Sequence, residues 1–275
     1  MRAMYLIGAA TILLANAEAA LAQESADWTG PYVGGRVGFS SNVEDEDETI
    51  LFDTNLDGSF GDTVQTSRGA DAFSPGFCGG TAVAGTQTQC SDRGGTEWAV
   101  HAGYDTQFGR NIVVGIVADY GQADIRDGVT AFSTTPAFYS IERRVDDIAS
   151  FRGRLGFAFD RTLVYGTGGV VYAKVENRFT TSNGVNTFTS SDDDDDTYGY
   201  RAGGGIEHRF EGGLALGVQY LYTNLEDEDY TVRAGGATVP VTNPFILVNP
   251  NGTDFRRSDD RLDWHNVSVT ASYRF

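Results

Sequence analysis

Apolar and polar residues alternate by twos in eight stretches of the chain: 31–40, 97–108, 111–120, 149–159, 163–174, 198–210, 214–223 and 264–275. Such alternation predicts β-strands, because successive side chains of a strand point to opposite faces. In the second stretch Trp98, Val100, Ala102, Tyr104 and Phe108 share one parity, while Glu97, His101, Asp105 and Gln107 share the other. The eighth runs to the last residue, with Val267, Val269, Ala271, Tyr273 and Phe275 set against Asn266, Ser268, Thr270, Ser272 and Arg274. The fifth is the most ambiguous. There Leu163, Tyr165, Val171 and Ala173 oppose Val164, Tyr172 and Lys174, and the reading puts Lys174 on the inward side with the polar parity.

The connections alternate short and long. Gly109-Arg110, Asp160-Arg161 and Glu211-Gly212 are tight turns, whereas residues 42–96, 121–147, 175–197 and 224–263 are long and polar. Each stretch supplies the roughly 9–11 residues that a tilted strand needs to cross hydrocarbon. The pattern therefore predicts an all-β fold: an eight-stranded antiparallel transmembrane β-barrel with short periplasmic turns and four long extracellular loops. A soluble barrel would turn its apolar face inward around a ligand. Here the inward parity carries Arg36, Glu97, Asp105, Asp119, Arg152, Arg154, Lys174, Arg201, Glu207, Arg209 and Arg274. These are too many charges for a ligand cavity, but they suit mutual pairing inside a membrane barrel, where an unpaired charge is costly.

The chain begins with Arg2, an apolar run from Met4 to Leu14, and a small-residue ending Ala20-Leu21-Ala22. This is the pattern of a secretory signal peptide over 1–22, too short for a membrane helix, which leaves 23–275 as one barrel domain. The net charge of −18 excludes a nucleic-acid binder that displaces counterions with a cationic face. The acid is concentrated between the strands, at residues 44–48, 192–196 and 226–229. No run has the spacing of a defined cation site, so diffuse attraction of divalent cations is the expectation there. The two cysteines, Cys78 and Cys90, fall in the first long loop and predict a disulfide in an exported chain.

The segment Trp28-Thr29-Gly30-Pro31-Tyr32-Val33-Gly34-Gly35 resembles the opening of the small porin-family barrels of the bacterial outer membrane, which share the OmpA-like eight-stranded fold. Gly168-Gly169-Val170-Val171-Tyr172-Ala173-Lys174-Val175 and Gln219-Tyr220-Leu221-Tyr222-Thr223-Asn224-Leu225 carry the same resemblance. The ending Ser272-Tyr273-Arg274-Phe275 is similar to the terminal aromatic signal, here Tyr273 and Phe275, that the outer-membrane assembly machinery receives. The resemblance implies an outer-membrane location with lipid and lipopolysaccharide as surroundings. It leaves function open among structural proteins, adhesins, haem-binding surface proteins and weak pores.

An interior as narrow as that of an eight-stranded barrel is just filled by side chains. The expectation is a structural or narrow porin-like role without catalysis and without cofactor or metal. The alternative is a surface-loop binding protein for a host or haem ligand. His101 shares a face with Glu97, but an imidazole without a nucleophile or oxyanion site is not a mechanism. His265 and Ser268, three apart on a strand, point to opposite faces. For loop binding, the apolar residues Phe132, Phe138, Tyr139, Phe245, Ile246 and Leu247 stand out, either as contact residues or as residues packed against one another.

Overall fold

The structure, a computed structural model, describes residues 26–43, 48–82, 90–92, 94–191, 194–226, 230–236 and 238–275. The leader read at 1–22 and parts of the three acid runs lie outside the described residues. Eight long strands form the wall: β1 (Gly30–Asn42), β2 (Thr96–Phe108), β3 (Ile112–Ser133), β4 (Ala137–Phe159), β5 (Thr162–Thr181), β6 (Asp194–Arg209), β7 (Leu214–Glu226) and β8 (Arg261–Arg274). Each pairs antiparallel with the next, and β1 pairs with β8, for example Val37 with Val269, so the sheet closes on itself. Closure satisfies every wall strand on both edges, which lipid demands of any spanning sheet.

The outward parity is apolar around the ring. Val37, Val100, Ile116, Phe151, Val170, Tyr200, Val218 and Val269 are all exposed. Leu155, at 63% exposure, would be poorly placed in water but suits a lipid face. At the short-turn end, positive φ at Gly109 (61°) and Asp160 (53°) lets the chain reverse within the tight turns.

Strands β3 and β4 run far beyond the predicted stretches, to 22 and 23 residues. The predicted loop 121–147 is in fact the continuation of this hairpin, closed by a turn at 134–136. The register shifts between Gln122 and Ile125 on β3, and between Val145 and Ile148 on β4 against β5. These bulges sit where the strands leave the barrel, and a bulge bends a strand and increases its twist.

The other long connections fold over the same end. Four short strands, Thr187–Ser190, Val232–Gly235, Thr253–Arg257 and Ile50–Asp53, make a second antiparallel sheet. A further strand, Gly76–Gly79, adds to the upper edge of β3, and the Cys78–Cys90 disulfide ties it to the neighbouring pair Thr81–Ala82 and Cys90–Ser91. The second sheet packs on the extended wall around Phe52, Phe73, Val129, Tyr139, Ile141 and Phe255, among others. This head has its own apolar core.

Candidate functional site

The barrel interior is a column of layers. Trp28, immediately before β1, is fully buried and closes the short-turn end with Val113, Ala158, Leu163 and Tyr165. Above it lies a first ionic tier drawn from β2, β4, β6 and β8. Arg274 meets Asp105 at 2.6 Å and Glu207 at 3.5 Å; Arg154 meets Glu207 at 2.8 Å and Asp105 at 3.9 Å. The Arg154 guanidinium lies 3.8 Å from the Tyr165 ring centre, and that of Arg274 lies 4.5 Å from Trp28, so the cations also rest on aromatic faces.

A second tier follows. Arg36 meets Glu97 at 2.7 Å and Asp119 at 3.1 Å, Arg201 meets Glu97 at 2.9 Å, and Arg152 meets Asp119 at 2.6 Å. Hydroxyls of Ser40 and Ser150 and the indole of Trp264 donate to the same carboxylates, satisfying more of their lone pairs. Between the tiers the cavity beside His101, Arg152 and Gln219 measures about 20 Å³, room for one water-sized molecule.

Above the second tier comes an apolar plug: Ala123, Ile125, Val145, Ile148, Val171, Leu225, Leu262 and Trp264, with their neighbours. The neck between plug and head holds a third ionic group. Arg257 binds Glu48 through two bonds of 2.6 Å and Asp127 at 2.7 Å, and Arg143 binds Asp127 at 2.6 Å. Burial pushes the Glu48 carboxyl up to about 7 against the pull of Arg257, and the charge of Asp127 adds to the rise. Asp127 is also buried, but Arg257 and Arg143 hold it below its usual value.

Nine of the eleven predicted interior charges are buried within these two barrel tiers: Arg36, Glu97, Asp105, Asp119, Arg152, Arg154, Arg201, Glu207 and Arg274. Lys174 is corrected: it points outward and is exposed. Strand β5 supplies Leu163 and Tyr165 to the lower plug and Val171 and Ala173 to the upper one, so its inward face is the apolar parity and Lys174 falls on the other. Arg209 is corrected too. It has the inward parity but sits half-exposed at the short-turn rim, bonded to the backbone oxygen of Asp27 outside both tiers.

Tyr273 and Phe275 lie on the outward face with their rings 5.1 Å apart. Of the apolar loop residues, Phe132, Tyr139 and Phe245 are buried in the head, Phe138 and Ile246 are half-buried, and Leu247 is exposed.

His101 bonds Ser272 at 2.9 Å, across 171 residues that strand parity alone cannot bridge. Gly34 leaves the space for it: a Cβ there would stand 2.6 Å from His101 Nε2. His265 bonds Tyr220 on the outer face while Ser268 is buried, so those two do face apart. Among the described residues no group of three or more His, Cys, Asp or Glu side chains is placed to hold a metal ion.

A family model described as the outer membrane protein beta-barrel domain matches residues 7–275. The chain belongs to this family. Among its relatives, the 31 kDa outer-membrane immunogenic protein of Brucella melitensis is 25% identical over 261 residues, covering 94% of this chain and 89% of that protein. A 22 kDa outer membrane protein of Rhizobium leguminosarum bv. viciae is 28% identical over 138 residues, half of this chain and 56% of its own length. Among solved structures, OprG of Pseudomonas aeruginosa aligns with 90% of this chain and 98% of its own, at 14% identity and a TM-score of 0.49.

Proposed function

We propose that this outer-membrane barrel is a closed anchor whose role is structural, holding a folded head on the outer surface of the cell. The observation that carries this reading is the layered interior. A solute would have to displace the Trp28 plug, two ionic tiers and the Trp264 plug in turn. Each guanidinium taken from its carboxylates would leave an uncompensated charge in an enclosed site, at a cost of about 3–5 kcal/mol. The interior His101–Ser272 pair has no approach for a substrate through these layers, which supports a role without catalysis.

The chain is exported after cleavage behind Ala22 and received by the assembly machinery through Tyr273 and Phe275; N-terminal sequencing of the mature protein checks the cleavage. Planar-bilayer recording of the refolded mature protein tests closure. The expected result is a silent bilayer from protein whose folding is confirmed by heat-dependent gel mobility. Discrete conductance steps would overturn the closed reading in favour of a pore.

Surface binding is the second reading, favoured by the head itself: four loop strands and an aromatic core are more than a capped barrel needs. A related protein named as immunogenic accords with such exposure. Haem capture through a histidine has no support in the head, since the chain's three histidines, His101, His208 and His265, all lie in barrel strands.

A further inference from the structure

The tip of the head, farthest from the barrel, contains a cleft of about 230 Å³. Four connections that are distant in sequence form it: Ala72 and Phe73 of the first, the β3–β4 turn at 134–136, the segment 182–186 after β5, and residues 243–245 of the last connection. Its floor is the aromatic core, with Phe73, Tyr139 and Phe245 among the lining side chains.

Three asparagines are linked across the cleft. Asn183 Nδ2 donates to Tyr139 Oη at 2.9 Å and to Asn186 Oδ1 at 3.0 Å. Asn243 Nδ2 donates to Asn186 Oδ1 at 3.1 Å, and Asn186 Nδ2 donates back to Asn243 Oδ1 at 3.3 Å. The backbone fixes the same amides, because Asn183 Oδ1 accepts from Val185 N at 2.9 Å and Asn243 Oδ1 from Phe245 N at 3.0 Å. The polar groups are thus held in place before any ligand arrives, which lowers the ordering cost of binding. Ser133, Thr134, Thr135 and Ser182 add hydroxyls that both donate and accept.

No lining residue carries a charge. This is unusual on a chain of net charge −18 whose acid runs fall in the connections at the head end. A charged ligand would find no counter-charge in the cleft, and an anion would be repelled on approach. The volume is below the usual range for a drug-sized ligand and suits one small ring.

We propose that this cleft binds a neutral saccharide unit, one sugar ring of an uncharged glycan. Its hydroxyls would meet the second hydrogen of Asn243 Nδ2, which the amide chain leaves unused, and the Ser/Thr hydroxyls, and its apolar face would meet the aromatic floor. The proposal deepens the surface-binding reading and rests on the head facing out of the cell.

The test uses the full mature protein in lipid nanodiscs on an array of neutral and charged glycans and unstructured peptides. Variants Asn243→Ala and Thr135→Trp are compared with it. Thr135 is exposed on the rim and makes none of the amide-chain bonds, so a tryptophan there obstructs the cleft while leaving those asparagines in the chain, and it serves if Asn243→Ala misfolds. The expected result is selective binding of neutral glycans, competed by the free monosaccharide and weakened at least about tenfold by Thr135→Trp. Binding that Thr135→Trp leaves unchanged, preference for charged glycans or peptides, or no neutral glycan bound would each overturn the site. Protease treatment of intact cells tests the underlying reading separately. A head cleaved from outside with no glycan bound refutes the saccharide site alone, whereas a head protected on intact cells refutes its outward placement as well.

Discussion

The barrel and the head are built partly from the same strands, yet their interiors have opposite chemistry. On β4, inward positions within the barrel are Arg152 and Arg154, while those in the head are Ile141 and Tyr139. The outward face changes the other way, from Phe151, Leu155 and Phe157 to Glu142 and Arg144. Strand β3 changes on its outer face, from Ile116 to Arg126, while its inward Val113, Val117 and Val129 are apolar throughout beside Asp119. The cause lies in the surroundings. In lipid the outer face must be apolar, and the polar residues that strand alternation leaves over are enclosed. In water the hydrophobic effect fills the interior and solvates the charges. One continuous strand meets both demands by reversing its pattern at the bulges.

If the two cores are held by different forces, they should fail differently. The largest expected effect is from Asp119→Leu, which leaves Arg36, Arg152 and Arg201 short of a shared carboxylate. The barrel should lose about 3–5 kcal/mol, read as a lower urea midpoint for loss of heat-dependent mobility. An unchanged midpoint would mean that the tier does not hold the wall. Next, Ile141→Ala should cost about 2–5 kcal/mol in the head alone. Faster hydrogen exchange across the head strands with an intact barrel would separate the two units; joint melting would show them to be one.

A smaller effect is expected at the neck, where pH acts on Glu48. Its folded value of about 7 lies above its ordinary 4.5, so its contribution to stability is fully present below 4.5 and is lost as pH rises through about 7. Asp127 works in the opposite sense and weakens the neck only as pH falls below its usual range. Protection factors at the neck, which divide out the intrinsic rise of amide exchange with pH, should therefore be higher near about pH 5 than near about pH 8, and Glu48→Gln should remove the difference. The smallest effect belongs to Lys174→Ala, expected within about 0.5 kcal/mol because the side chain is exposed. A loss of several kcal/mol would return Lys174 to the interior.

The same inversion explains how far the sequence could be read. Inside the lipid-crossing stretches, Val100 and Phe108 against Glu97 and Asp105 leave no doubt about which parity faces out, because lipid tolerates only one answer. At residue 121 the outward side turns polar, and a search for an apolar outer face stops there. Yet Val129, Ala131, Tyr139 and Ile141 continue the alternation within that supposed loop, a signal available to any reading that allowed the apolar side to switch. The facing of strand β5 is illegible for a related reason: a strand that serves two apolar plugs is apolar on both faces. The Arg257–Glu48 and His101–Ser272 pairs, 209 and 171 residues apart, depend on how the ring and head close, which no local period encodes.

The lower tier also bears on how the wall comes into being. Its four members are spread over β2, β4, β6 and β8, so the full set assembles only when strands from the whole ring are in place. A curled but open sheet would present bare carboxylates of Asp105 and Glu207 to a gap that only Arg154 has reached. Neutrality arrives with Arg274, the penultimate residue, when the final strand docks beside the first. Ionic pairing thus rewards the finished cylinder over any partial one.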